Sequence, residues 1–224
     1  MAAPYGVPPV AAAAAGILPF KFLMGKSLEQ QGLPVPKISW LTGIKEGVKA
    51  APTVGAIVGS QMILQTLFES MVVGKEQKAT MGQKLLTSAI VGAVSSPVLA
   101  VFNGKTMGWT IKESLKRMTL KQVGAITGQE TGFVAGVALA EPIVAWVKEK
   151  VGPYKVIEGA AAFSAGALGG LAGHAGNTAL TRWQKGLTVE VSQLMWGSPR
   201  RTAFCGLFSL TYYGLKKGML PVKD

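Results

Sequence analysis

The sequence predicts an all-α membrane protein of six transmembrane helices, arranged as three tandem two-helix repeats. Three observations carry that expectation. The 224 residues are 49% hydrophobic and only 15% charged, with 29 glycines, at a mean hydropathy of +0.34. A soluble domain carries about 25% charged residues and fewer glycines. Uncharged stretches alternate with basic connections, and a helix crosses a bilayer with about 20 such residues. Landmarks also recur at a fixed interval, with Pro19, Pro97 and Ala175 standing 78 residues apart.

The net charge of +12 does not point to nucleic acid. That partner needs a basic face with interleaved aromatics on a soluble scaffold, whereas the basic residues here cluster between apolar spans. Cys205 is the only cysteine, so intrachain disulfides and multi-cysteine metal sites are excluded. It reads as a small apolar helix residue. The first ten residues lack the basic region of a signal peptide and the arginines of a cleaved transit sequence.

The first span is expected over about Val7–Leu23, kinked by Pro19 near its end. A connection with Lys37, Trp40, Lys45 and Lys49 follows. Span two covers about Ala50–Val73, with Gly55 and Gly59 as a small-residue seam. Span three covers about Leu85–Met107, with Ser88, Gly92 and Ser96 spaced by four, and Pro97 is expected to interrupt it. Span four covers about Gln122–Val147, where Gly124, Gly128, Gly132 and Gly136 form an every-fourth row. Glu130 and Glu141 lie eleven apart, about three helical turns, so they are expected on one face. A charge at bilayer centre costs about 2.5–3.5 kcal/mol, so both should face a protein or water-filled interior.

Span five is the longest uncharged run, Gly159–Thr181, ending in Arg182, Trp183 and Gln184. Gly166 and Gly170, and Gly169 and Gly173, stand four apart, clearing one side for a second helix. Arg182 and Trp183 suit a membrane–water interface. Span six is short, about Thr202–Leu215, with Arg201 and Lys216 expected to snorkel outward. The connections 21–49, 105–121 and 182–201 are more basic than 74–84, 148–158 and the tail 216–224. The more basic set therefore belongs on one side, with both termini on the other.

This layout of helix, basic connection, helix, three times over, resembles the mitochondrial carrier family across essentially the whole chain. The repeats would be 1–76, 77–153 and 154–224. In that family each odd helix ends in Pro-x-acid-x-x-base-x-base. Here the frames run from Pro19 to Lys26, from Pro97 to Gly104, and from Ala175 to Arg182, with Gln184 in the glutamine place. The acid positions hold Lys21, Leu99 and Asn177, and the base positions hold Met24, Phe102 and Leu180. No ion pair can form among those six side chains, which in carriers are thought to close the matrix side. The even helices end, at the family's aromatic-acid-x-x-base positions, in Phe68, Glu69 and Val72; Trp146, Val147 and Lys150; and Tyr213, Gly214 and Lys217. Only Glu69, Lys150 and Lys217 survive there, allowing one bridge at most.

The resemblance implies a multi-pass protein of the mitochondrial inner membrane with both termini in the intermembrane space. It also implies cardiolipin at Trp40–Gly43 and Trp196–Gly197. Glu130 and Glu141 read either as substrate or proton-binding groups or as hydrogen-bonding partners of neighbouring helices. Gly136 and Arg201 are cavity positions by the same resemblance, Gly136 being equally a seam residue and Arg201 an interfacial anchor. His174 reads as a helix-packing histidine, since no cysteine partner or second histidine exists to build a metal site. No phosphate loop, catalytic carboxylate pair or nucleophile–base set is present, so no enzyme and no cofactor are expected. Two functions follow. One is a transport-inactive accessory subunit docked on other inner-membrane subunits and lipids. The other is a carrier exchanging small anionic metabolites.

Overall fold

The computed structural model describes residues 10–15, 21–33, 37, 39–73, 79–106 and 109–219. Among them the regular structure is all helical. A short helix α1 (10–15) precedes α2 (Lys21–Gln30), α3 (Trp40–Val73), α4 (Met81–Thr106) and α5 (Ile111–Lys116). Then come α6 (Leu120–Ala138), α7 (Ala140–Val151), α8 (Lys155–Ala172), α9 (His174–Gln184), a 3₁₀ turn (Val191–Gln193) and α10 (Ser198–Met219). Pro19 and its kink lie outside the described residues.

Three stretches are long and apolar enough to cross a membrane: Trp40–Val73, Met81–Gly104 and Leu120–Val151. The bent pair α8–α9 makes a fourth if it counts as one span. Six were expected. The 22-residue α10 has the length, but Arg200, Arg201, Lys216 and Lys217 occupy its two ends. Of the first expected span, only α1 and the first residues of the polar α2 are among the described residues. Leu86, Ile90, Val94 and Val98 form an exposed apolar row along α4, the surface a helix presents to lipid.

Two expected boundaries move for identifiable reasons. Pro97 does not interrupt its helix, since α4 runs unbroken through it. Ser96 Oγ donates to the Gly92 carbonyl at 2.9 Å, one turn before the site where Pro97 lacks its own N–H. Span four does break, at Leu139, between α6 and α7. Pro142 has no N–H for the carbonyl four residues back, so the ladder is interrupted there. The α8–α9 junction at Gly173 bends by 45°.

Outside the spans, α5 and α6 each begin with a capping box, Thr110 with Glu113 and Thr119 with Gln122. The Thr110 backbone N–H, then its hydroxyl, hold the Glu113 carboxyl below the usual carboxylate range.

Glycine seams set the packing, and α8 carries two. Gly166 and Gly170 face Ser209 and Cys205 of α10, whereas Gly169 and Gly173 face Gly132, Gly136 and Gln129 of α6. A Cβ on Gly173 would lie 2.5 Å from the Gln129 carbonyl oxygen, so only glycine fits this approach. The expected single groove is therefore two adjacent seams with different partners. The row on α6 is correspondingly half a seam: Gly132 and Gly136 are in contact, but Gly124 and Gly128 have nothing within 4 Å. Gly92 meets Thr127 and Thr131 between α4 and α6, and Gly55 and Gly59 meet Ala14 and Val10 between α3 and α1. The helices α2, α3, α4, α6, α8 and α10 thus pack in that order, and α10 returns to α2, closing a ring. Phe133, Phe208 and Tyr212 fill its interior, with ring centroids 5.3 and 6.2 Å apart.

Candidate functional site

Within the ring lies a partly open cavity of about 160 Å³, lined from α2, α3, α4, α6, α9 and α10. Most of its wall is apolar, but Gln61, Asn103, Gln129, Glu130, Asn177 and Arg201 also line it. Several of these form one hydrogen-bonded chain. Gln61 Nε2 donates to Glu130 Oε2 at 2.9 Å, and Gln129 Nε2 to Glu130 Oε1 at 2.7 Å. Asn177 Nδ2 donates to Gln129 Oε1 at 3.1 Å, and Gln31 Nε2 to Asn177 Oδ1 at 3.4 Å. Thr181 Oγ1 then donates to Gln31 Oε1 at 3.0 Å. The chain crosses α3, α6 and α9, passes through Gln31, the residue that follows α2, and returns to α9 at Thr181. Glu130 thus faces the interior as expected, with both oxygens hydrogen-bonded.

Arg182 extends this network instead of sitting at an interface. It is buried, at 8% exposure. Its Nε donates to the Thr188 carbonyl at 2.8 Å and its Nη1 to the Gln31 carbonyl at 3.0 Å. Arg182 shares the last turns of α9 with buried Asn177, Thr178 and Leu180, after the chain has bent by 45° at Gly173.

Arg201 does not snorkel outward either; it is 4% exposed and lines the cavity. Arg201, Cys205 and Phe208 lie at helical spacing on one face of α10, the face that packs inward against Gly170 and the core. Arg200, 100° further round, donates to the Lys26 carbonyl at 3.3 Å. Cys205 is buried and free.

The positions of the degenerate odd-helix frames converge. Met24, Leu99, Phe102 and Asn177 line the cavity, and fully buried Leu180 packs with Leu99, Ala100 and Ile126. The side chain of Lys21 lies outside the description. Gly136 is not a cavity residue but lies in the α6–α8 seam.

Glu141 does not share the surroundings of Glu130. Its side chain is 57% exposed and pairs with Lys216 at 2.8 Å, about three helical turns further along Leu120–Val151 than Glu130. It stands at the far end of the bundle, where other pairs collect. Glu69 pairs with Lys84 at 2.7 Å. Glu158 pairs with Lys217 at 2.9 Å and Lys148 at 3.4 Å. Among the described residues, Glu69, Lys150 and Lys217, which allow one bridge at most, form none with one another: Lys150 pairs with the neighbouring Glu149 at 3.7 Å. Lys84 and Glu158 were read as loop charges, yet both stand in the first turns of helices, α4 and α8, where they face their partners. Gln31, Gln61 and Gln129 escaped notice because neutral amides leave no trace in a charge pattern.

His174 is fully buried, with Nε2 2.8 Å from the Trp196 carbonyl oxygen and 3.2 Å from Thr178 Oγ1. It ties α9 to the loop before α10, as a packing histidine. Among the described residues no group of three or more His, Cys, Asp or Glu is placed to hold a metal ion. Comparison with protein-family models, curated proteins and solved structures gave no match.

Proposed function

We propose that this chain is a transport-inactive, mitochondrial-carrier-like protein of the inner membrane, with six spans in three repeats, acting as an accessory subunit of a larger complex of the respiratory-chain or ATP-synthase type. The observation that carries this reading is the hydrogen-bonded chain from Gln61 to Thr181 above the packed Leu99 and Leu180. A transporter alternates by breaking modest contacts at each end in turn. Here one end is tied across three helices by side-chain hydrogen bonds, each contributing about 1 kcal/mol net, and by buried leucines. Moving such an equilibrium from 1:99 to 99:1 requires about 5.5 kcal/mol of differential binding, which a weakly bound solute does not supply.

A protein held in one state can still present its outer helices to other subunits and lipids. Cardiolipin is expected at Trp40–Gly43 and Trp196–Gly197, where Trp40 and Trp196 are exposed by 54% and 46%. The second reading, a carrier of small anionic metabolites, draws on buried Arg201 in the cavity wall.

Reconstitution into liposomes against nucleotides, phosphate and carboxylates separates the two. No saturable exchange, together with co-migration in a large assembly after gentle solubilisation, is expected. Saturable exchange abolished by Arg201→Ala would overturn the scaffold reading in favour of the carrier. Thiol labelling should find position 115 and the C-terminus on opposite sides of the membrane.

A further inference from the structure

The cavity holds a carboxyl group and a guanidinium that do not meet. Glu130 comes from α6 and Arg201 from α10; they are 6% and 4% exposed and line the same space. Among the described residues no ion pair within 4 Å joins them. Each oxygen of Glu130 accepts one amide hydrogen bond and keeps further acceptor capacity. Arg201 Nε is buried with no hydrogen-bond partner. A buried guanidinium with unfilled donors, facing a space, is a binding group awaiting an acceptor.

The geometry points to a site for a zwitterion of the α-amino-acid class, its carboxylate on Arg201, its ammonium towards Glu130, and its apolar side chain against Phe133 and Phe204. Other classes fit less well. A di- or trianion would place excess negative charge on Glu130, and a simple cation would lie beside Arg201. A purely apolar ligand would leave both charges unanswered. The volume of about 160 Å³ is close to that of an engineered cavity of about 150 Å³ that takes benzene. That suits a side chain the size of valine, leucine or methionine.

This inference goes beyond the scaffold reading and does not depend on it, because binding is an equilibrium and requires no exchange. Its test is thermal unfolding and calorimetry of the purified full-length protein in detergent with valine, leucine and methionine. Two half-ligands serve as controls: 4-methylpentanoate, which keeps the carboxylate, and 3-methylbutylamine, which keeps the amine. At least one amino acid should raise the unfolding temperature saturably, with both halves binding about tenfold or more weakly, since each leaves one buried charge unpaired. Glu130→Gln should lose the amino acid about tenfold while binding 4-methylpentanoate no worse. Arg201→Gln should lose both; if it fails to fold, the wild-type selectivity and the Glu130→Gln exchange still decide. The proposal is overturned if no amino acid binds, or if chloride, phosphate or 4-methylpentanoate stabilises the wild type as well as the amino acid does. It is equally overturned if Glu130→Gln leaves the selectivity unchanged.

Discussion

The two ends of the bundle are closed by different chemistry. At the end formed by Gln31, Asn177, Thr181 and Arg182, the closing groups are amides, a hydroxyl and a guanidinium on backbone carbonyls. They are buried or nearly so, and each bond depends on the geometry of the next. At the other end Glu69, Glu141 and Glu158 are paired with lysines, among which Lys148 and Lys217 are 39% and 58% exposed. A buried network is costly to leave half-made, which favours a single arrangement. A partly hydrated ionic rim can exchange partners with water and salt at small cost. Rigidity is therefore expected at the first end and compliance at the second.

The largest expected effect tests the rigid end. Arg182→Ala removes a buried donor and strands the carbonyls of Gln31 and Thr188. Hydrogen bonds from a charged group contribute about 1.5–3 kcal/mol, with a desolvation penalty for stranded acceptors. A destabilisation of roughly 3 kcal/mol, independent of salt between about 0.1 and 1 M, should appear in thermal unfolding in detergent. A loss below about 0.5 kcal/mol would place Arg182 in water and dissolve the contrast between the ends.

Glu158→Gln tests the compliant end at its strongest point, because this one carboxylate receives two lysines. Its side chain is 9% exposed while both partners are hydrated. The expected loss is roughly 1–2 kcal/mol, between the values for exposed and buried pairs. Unlike that of Arg182→Ala, it should shrink on adding salt.

Hydrogen exchange sharpens the comparison without mutation. Raising ionic strength from about 0.15 to 1 M shortens the screening length from about 8 to 3 Å. Exchange should accelerate in the last turn of α10 and the first turn of α8, while Asn177–Arg182 stays protected. Equal acceleration at both ends would remove the distinction.

What the sequence disclosed divides along the same line. Small residues four apart, Gly55 and Gly59 on α3 and Ser88, Gly92 and Ser96 on α4, announced the α1–α3 and α4–α6 seams, because that spacing puts them on one helical face whatever the partner. It could not assign Gly169 to α6 and Gly170 to α10, since neighbours are a property of the ring. Nor could it separate Gly128, which touches nothing within 4 Å, from Gly132. Arg182 and Arg201 read as interface anchors because burial is invisible in a hydropathy pattern. Both lie on buried faces of their helices, Arg182 with Thr178 on α9 and Arg201 with Cys205 and Phe208 on α10. The cavity was glimpsed through Glu130 and Arg201, but its amides were not.

The smallest expected effect concerns Glu141 and Lys216, where the sequence and the structure disagree most directly. Spacing along an uninterrupted helix would put Glu141 beside Glu130, inside the bundle, where loss of its cation would leave an uncompensated buried charge and cost about 3–5 kcal/mol. The structure instead breaks the helix at Leu139 and leaves this pair with side chains 57% and 29% exposed. Exposed pairs couple by about 0.2–1 kcal/mol, and a lysine near the end of its helix keeps a hydrated alternative when its partner is removed. A double-mutant cycle with Glu141→Gln and Lys216→Met should therefore give a coupling of roughly 0.5 kcal/mol or less, vanishing in high salt. Coupling above about 2 kcal/mol would mean that Glu141 is buried and that the ion-paired end is as rigid as the other.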